Sequence, residues 1–196
     1  MRSTLLKILF FCGVLFSAHS LGFGFHADAG YAGSPESRVP GDDLAMSMGI
    51  DIGFLTPYFI DAVLTLGIGS INDRMAFVSA FTAHYTAMLT KVLGVYTGLG
   101  FGLDALWGAR FSIHRDPFEV NHTGVITKAI FPLGVKFFLR TSFEFYGEIN
   151  VGVGLYQGWT RYYTSATPSA NSVSGDIYRR NFYWDVHGRF GMRYWY

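Results

Sequence analysis

Ionisable side chains recur at alternate positions within apolar stretches of this sequence. Seven of them are predicted to lie together: Asp51, Asp61, Lys136, Glu144, Glu148, Arg189 and Arg193. Paired carboxylates in a confined space can serve as general acid and base or relay protons, whereas carboxylates mixed with lysine and arginine form ion pairs. Because an unpaired charge is costly away from water, we predict that these seven form an ion-paired plug and that the protein is not an enzyme.

Two other patterns could do chemistry. His114, Asp116, Glu119 and His122 could gather a metal ion, but their spacing matches no regular ligand pattern, so we expect a solvated loop without metal. The run GLGFGL from Gly98 has the glycines of a phosphate-binding loop without the strand-to-helix context that such a loop requires. We therefore predict no cofactor.

The end of the chain, from Asn181 to Tyr196, indicates the kind of element that positions the charged residues. One alternate set of positions is apolar or aromatic and comprises Phe182, Trp184, Val186, Gly188, Phe190, Met192, Tyr194 and Tyr196. The intervening set carries most of the polar groups, including Asp185, Arg189 and Arg193. Strict alternation is typical of a β-strand. A long strand with one apolar and one charged face suits a wall between lipid and a polar interior.

Similar alternation recurs in seven earlier stretches, which gives eight predicted strands. These stretches are residues 21–31, 44–54, 60–69, 77–87, 93–104, 128–137 and 143–156. The connections after the second, fourth and sixth strands are short, whereas those after the first, fifth and seventh are long; the connection after the third is the one short link on that side. Outer-membrane barrels likewise have short periplasmic turns and longer outer loops. We predict an all-β, eight-stranded antiparallel transmembrane up-and-down β-barrel. The sheet must close on itself, because lipid provides no hydrogen-bond partners for the backbone groups of an open sheet edge.

The first twenty residues predict export. Arg2 and Lys7 precede an apolar run from Ile8 to Ala18, and Ala18-His19-Ser20 fits a cleavage site. The run is too short to cross a membrane as a helix. We therefore assign residues 1–20 to a signal peptide and residues 21–196 to the barrel, with both mature termini periplasmic and the loops facing the exterior.

Composition agrees with a small barrel and excludes one class of partner. The formal net charge is only +1 over 196 residues, so no nucleic-acid partner is expected. Aromatic residues make up 18% of the chain, which also has 24 glycines. Most of these glycines fall on the inward positions, where small residues make room for large ones opposite in a narrow interior.

The last eight residues, RFGMRYWY, resemble the C-terminal signal of bacterial outer-membrane barrel proteins through Gly191, Tyr194 and Tyr196. The resemblance implies recognition by the barrel assembly machinery and a location among the lipids of the bacterial outer membrane. Across residues 21–196 the chain resembles the small eight-stranded families OmpW, OmpX and the barrel domain of OmpA. That wider likeness is architectural, so it carries over no binding residue.

The resemblances leave two functions open. The half of the interior nearest the outer loops is predicted to be lined by Thr65, Val78, Ala80, Tyr96, Ile130, Tyr146 and Tyr156. This lining of small, apolar and aromatic residues predicts a cup, which is a cavity open to the exterior and closed below by the charged plug. The OmpW resemblance implies a narrow channel for small hydrophobic solutes. The tyrosines could instead fill that space. The OmpX resemblance implies a surface adhesin that binds a host surface or matrix ligand through the third and fourth outer loops, residues 107–124 and 158–180.

One enzyme family also resembles this architecture. Outer-membrane lipid A deacylases carry a histidine and a serine two positions apart on a strand. At the corresponding spacing from His187 this chain has Arg189, so we predict that it lacks this activity.

Overall fold

The computed structural model describes residues 20–33, 44–55, 60–71, 74–108, 119–139, 142–163 and 174–196. Eight strands occupy almost all of them: β1 (Ser20–Gly33), β2 (Leu44–Leu55), β3 (Ile60–Ile71), β4 (Arg74–Met88), β5 (Leu93–Trp107), β6 (Glu119–Leu139), β7 (Phe143–Tyr163) and β8 (Ser174–Trp195). Each strand pairs antiparallel with the next, and β1 pairs with β8 to close the barrel. The predicted fold class is therefore confirmed. The predicted signal peptide, residues 1–20, lies outside the described residues except for Ser20 and stays a prediction.

The two faces of the barrel wall have opposite chemistry. Outward side chains such as Phe25, Met48 and Phe190 are 63%, 66% and 74% exposed, whereas inward Asp51 and Arg193 are buried. An apolar exterior around a charged interior is the reverse of a water-soluble protein and fits a barrel surrounded by lipid. Among the described residues, no helix is long and apolar enough to cross a membrane.

The barrel has two distinct ends. The connections β2–β3, β4–β5 and β6–β7 and the C-terminus of the chain lie at what we call the turn end, and the other four connections lie at the loop end. Exposed aromatic residues mark both ends, with Tyr194 and Tyr196 in contact at the turn end and Tyr31, Trp107 and Trp184 near the loop end. From Trp184 to Tyr194 is ~33 Å along β8. With the usual strand tilt this is about the 25 Å height of an apolar membrane band.

Three strands continue well beyond that band. β6, β7 and β8 have 21, 21 and 22 residues, against 12 for β2 and for β3. The prediction that residues 107–124 and 158–180 are entirely loop is therefore wrong, because 119–124, 158–163 and 174–180 are strand. A strand outside the membrane needs no continuous apolar face. Its backbone pairing suffices, and here the Trp159 and Tyr178 rings also pack 5.0 Å apart across β7 and β8.

The extra length forms a sheet of its own above the barrel. β1 reaches β8 only as far as the pair Gly33 and Trp184, and β5 reaches β6 only as far as Trp107 and Thr123. β7 and β8 remain paired up to Tyr163 and Ser174. Within the described part of the chain, residues 119–122, 154–163 and 174–183 thus form a projecting sheet whose outer strands have no further strand beside them.

Candidate functional site in the barrel interior

The interior of the turn-end half holds the seven predicted plug residues in one network of contacts. Lys136 Nζ donates a hydrogen bond to Asp61 and lies 3.8 Å from Glu144 Oε1. The Arg193 guanidinium lies 3.1 Å from Glu144 and 3.9 Å from Asp61 through one nitrogen, and 3.6 Å from Asp51 through another. These five residues come from β2, β3, β6, β7 and β8. The network therefore joins strands on opposite sides of the barrel.

Arg189 extends the network toward the loop end. Its guanidinium lies 3.2 Å from Glu148 Oε1 and 3.1 Å from Asp28 Oδ2. Asn150 donates to Glu148 at 2.7 Å, and Ser47 donates to Asp28 at 2.6 Å. We call the seven plug residues and Asp28 the turn-end cluster. Sequence reasoning counted Asp28 as an inward charge but did not assign it to the plug. Its partner Arg189 lies on β8, which comes next to β1 only when the barrel closes.

Three residues predicted for the upper lining contact this cluster instead. The Tyr96 hydroxyl donates to Glu148 at 2.6 Å, and the Tyr146 hydroxyl donates to Asp51. Thr65 also donates to Asp51, at 3.1 Å. Placing these three in an apolar upper lining was therefore wrong. Inward parity identified the correct face, but the height at which a long side chain ends depends on the rotamer and on its partner.

Two histidines complete the surroundings of the cluster. His26 Nδ1 lies 3.1 Å from Asp51, and His84 Nδ1 lies 3.7 Å from Asp61. The His84 ring also packs on Tyr96, with ring centroids 4.9 Å apart. Parity alone gave both histidines an inward position and no partner.

A second charged cluster lies nearer the loop end. Lys128 Nζ is 2.8 Å from Asp104 and 2.6 Å from Asp185. All three side chains are buried, and they come from β6, β5 and β8. We call them the loop-end cluster. The sequence marked each as an inward charge but could not group them, since they are distant along the chain.

Apolar side chains fill the interior around the loop-end cluster. They comprise Ala32, Ile71, Ala76, Val78, Leu106, Ile126, Tyr156 and Tyr183. A small cavity of about 20 Å³ lies there among the described residues, between Ser47, Val78, Lys128 and His187. That volume suits about one water molecule. Of the two alternatives for this region, the described residues favour the filled interior over an open cup, and Val78 and Tyr156 belong to the packed layer. Ala80 and Ile130 are buried as well.

The larger space lies at the opposite end. A cavity of about 600 Å³ is bounded by Leu55, Met88, Val92, Phe138 and Trp195, with Asp61, Thr86, Lys136 and Glu144 facing it from the turn-end cluster side. Sequence reasoning did not find this cavity. Its walls come from strand ends and the β4–β5 connection, where the alternation used to place residues inside or outside stops.

Glycines on the inward face admit the large tyrosines. A Cβ added to Gly191 would lie 2.3 Å from the Tyr146 hydroxyl oxygen, and one added to Gly134 would lie 2.6 Å from the Tyr96 ring. The glycine of the predicted assembly signal thus has a packing role in the folded barrel. At the end of that signal, the Tyr196 amide donates to the Leu21 carbonyl at 2.8 Å across the β1–β8 seam.

The chemistry of the interior follows from these contacts. Every charged residue of both clusters lies within 4 Å of an opposite charge, which suits holding the wall together better than attacking a substrate. Among the described residues, no group of three or more His, Cys, Asp or Glu side chains could hold a metal ion. Of the possible metal-binding residues, His114 and Asp116 lie outside the described residues, as do the side chains of Glu119 and His122.

Comparison with known proteins shows the fold alone. No model of a known protein family and no curated protein matches the sequence. The outer membrane protein OprG from Pseudomonas aeruginosa superposes with a TM-score of 0.50 at 11% identity, over 89% of this chain and 96% of OprG. For Neisserial surface protein A the values are 0.49 and 11%, over 89% and 96%. For the N-terminal β-barrel domain of Pseudomonas aeruginosa OprF they are 0.48 and 13%, over 88% and 97%.

The chain has the closed eight-stranded fold of small outer-membrane β-barrels. Its apolar exterior and its two aromatic bands are those of a barrel embedded in lipid. Together the fold and the exterior support a location in the bacterial outer membrane.

Proposed function

We propose that this protein is a closed surface-attachment barrel, which binds a host surface or matrix ligand through its projecting sheet. The observation that carries the proposal is the pair Trp159 and Tyr178, which are 52% and 50% exposed and in contact on that sheet. In this proposal the loop end faces the exterior of the cell and both mature termini are periplasmic.

The position of the aromatic pair separates it from the membrane. Trp184 pairs with Val153, and Tyr178 pairs with Trp159 six residues farther along β8. Six residues of strand span ~20 Å, which is ~15 Å along the barrel axis at the usual tilt. The pair therefore lies beyond the loop-end aromatic band, where lipid does not account for two exposed rings.

The chemistry of the sheet suits a protein or glycan partner. Tryptophan and tyrosine contribute most to interfaces, because they offer a large apolar area together with a polar group. The β8 edge at 174–183 also lacks a neighbouring strand within the described residues, so its backbone groups can pair with an extended segment of a partner.

Passage of small hydrophobic solutes is the other function that the sequence favours. The described interior supports it less well, because the loop-end half contains a buried ion-paired cluster and a packed apolar layer, and the cavity between them has a volume of about 20 Å³. A conduit from the loop end would have to displace these side chains. We therefore assign the function to the outer surface.

The test compares attachment of cells that display the wild type or the double variant Trp159→Ala, Tyr178→Ala to epithelial monolayers and to collagen-coated or fibronectin-coated surfaces. The matched control is Trp184→Ala, which removes a ring from the lipid-facing band. If the pair is the centre of the interface, the double variant should attach roughly 30-fold less tightly at equal surface display, and the control should attach normally. Equal attachment by all three proteins would refute the proposal.

Orientation is tested separately. An epitope inserted between 164 and 173 should be labelled by antibody on intact cells, whereas an epitope after Tyr196 should be labelled only after the outer membrane is permeabilised. The opposite pattern would place the projecting sheet in the periplasm and exclude attachment to a host.

A further inference from the structure

The cavity at the turn end has the size and lining of a small-molecule site. Its volume of about 600 Å³ lies within the range of about 300–1,000 Å³ that is usual for ligand pockets. Apolar and aromatic side chains form most of its walls, chiefly Leu55, Met88, Val92, Phe138 and Trp195, and Lys91 and Ser20 complete the described lining. Met88 is 44% exposed although its position on β4 faces inward, so it borders open space inside the barrel mouth.

The polar groups at the base of this cavity already have partners. Thr86 donates to Asp61 at 3.3 Å, and the Trp195 indole donates to Glu144 at 3.0 Å. Lys136 contacts both carboxylates and lies 4.7 Å from the centroid of the Tyr96 ring. A charged ligand would have to give up hydration without gaining a free counter-charge at the base.

The cavity ends blindly toward the loop end. The turn-end cluster crosses the interior from β2 and β3 to β8, and the loop-end cluster and the apolar layer follow it. A molecule that enters from the turn end would therefore be retained at the cluster and would leave by the way it entered.

We propose that the turn-end cavity binds a neutral, apolar small molecule of the size of a small aromatic hydrocarbon. The walls supply apolar contacts, the Trp195 indole supplies an aromatic face, and the paired base favours neutral ligands over ions. Contact with these walls removes the apolar surface of a hydrocarbon from water, which favours binding. This site is independent of attachment through the projecting sheet, and either proposal can fail without the other.

The methionines of the chain provide the test. The protein is labelled with ¹³C at the methionine methyl groups, reconstituted into lipid nanodiscs and titrated with naphthalene while the methyl resonances are followed by NMR. Met88 lines the cavity. Four described methionines face lipid and act as internal controls: Met46, Met48, Met75 and Met192.

Naphthalene also dissolves in lipid, so the shape of the response decides the outcome. The Met88 methyl should show a ring-current shift that saturates, whereas the four controls should change linearly with probe concentration. In the variant Lys91→Gln, which removes the lining cation of the β4–β5 connection, naphthalene-2-sulfonate has the same rings and a negative charge and should bind at least 10-fold more weakly than naphthalene. A Met88 response that is linear like that of the controls, or equal affinity for the charged probe, would overturn the proposal.

A filled variant checks the location of the site. Leu55→Phe with Val92→Trp adds bulk to the cavity walls, and Leu133→Phe with Val135→Trp makes the same kind of change on the lipid-facing surface. The filled variant should bind naphthalene at least 10-fold more weakly, as read from the saturable Met88 shift, and the exterior variant should bind it with the affinity of the wild type. If the filled variant is folded by its control methyl spectrum and still binds normally, the site is not in this cavity.

Discussion

Replacing Arg193 by methionine should destabilise the barrel more than any change of similar size on its exterior. Arg193 lies within 4 Å of Glu144, Asp51 and Asp61, and its guanidinium is 5.0 Å from the centroid of the Tyr146 ring. Methionine has a similar length but no charge. The variant therefore keeps most of the packing and leaves three buried carboxylates short of one counter-charge.

The magnitude follows from the cost of breaking a buried ion pair on one side. Such changes cost about 3–5 kcal/mol, because the remaining charge is buried without compensation. Lys136 still contacts Asp61 and Glu144, so we expect the lower half of that range, about 3–4 kcal/mol. This corresponds to a decrease of roughly 150-fold to 1,000-fold in the folding equilibrium constant.

The measurement is urea unfolding of the protein refolded into lipid vesicles, with the folded fraction read from the heat-dependent mobility of the barrel on gels. The free energy of unfolding is obtained by linear extrapolation to zero urea. The matched control is Met192→Leu at the adjacent, lipid-facing position, which should change that free energy by less than about 1 kcal/mol.

A second variant makes the test specific for charge. Adding Glu144→Gln to Arg193→Met removes one of the uncompensated carboxylates, so the double variant should recover part of the lost stability. The reasoning is refuted if Arg193→Met alone costs less than about 1 kcal/mol, which is the usual value of an exposed pair. It is refuted equally if the double variant is less stable than Arg193→Met.

Three further predictions concern other parts of the barrel. Gly191→Ala should lower stability by about 1–3 kcal/mol in the same urea assay, because its Cβ meets Tyr146. Gly188→Ala, whose Cβ meets nothing within 4 Å, should be neutral; equal effects would contradict the packing argument. Tyr196→Ala should reduce the amount of folded protein in the outer membrane of growing cells, while the purified variant still refolds in vesicles; normal assembly in cells would show that the terminal aromatic is not read as a signal. The wild type should give no steady ohmic conductance in planar bilayers, and Glu148→Gln, which weakens the contact with Arg189, should raise the frequency of brief openings; a stable open pore in the wild type would show that the clusters do not block flow.

The pattern of residues along the chain was enough to predict the class of fold and which face of the wall is apolar. Alternation of apolar and polar residues is a property of each strand, and lipid outside with a narrow interior makes the two faces differ strongly in composition. Eight such stretches, with short connections after the second, fourth and sixth and long ones after the first, fifth and seventh, therefore sufficed to predict a closed antiparallel barrel. The same parity placed Asp51, Lys136 and Arg193 inside, where the structure brings them together.

The heights and the partners of the inward side chains follow from the folded barrel and could not be predicted from the pattern. Tyr96 and Tyr146 reach the charged network rather than an open cup, and Asp104, Lys128 and Asp185 meet from three strands. The full length of β6, β7 and β8 was also not predicted from the sequence. A strand beyond the membrane is held by backbone pairing and needs no alternating apolar residues facing lipid. Parity is a local property of the chain, whereas register, tilt and rotamer are set by closure of the whole barrel, and they decide where side chains end and where space remains.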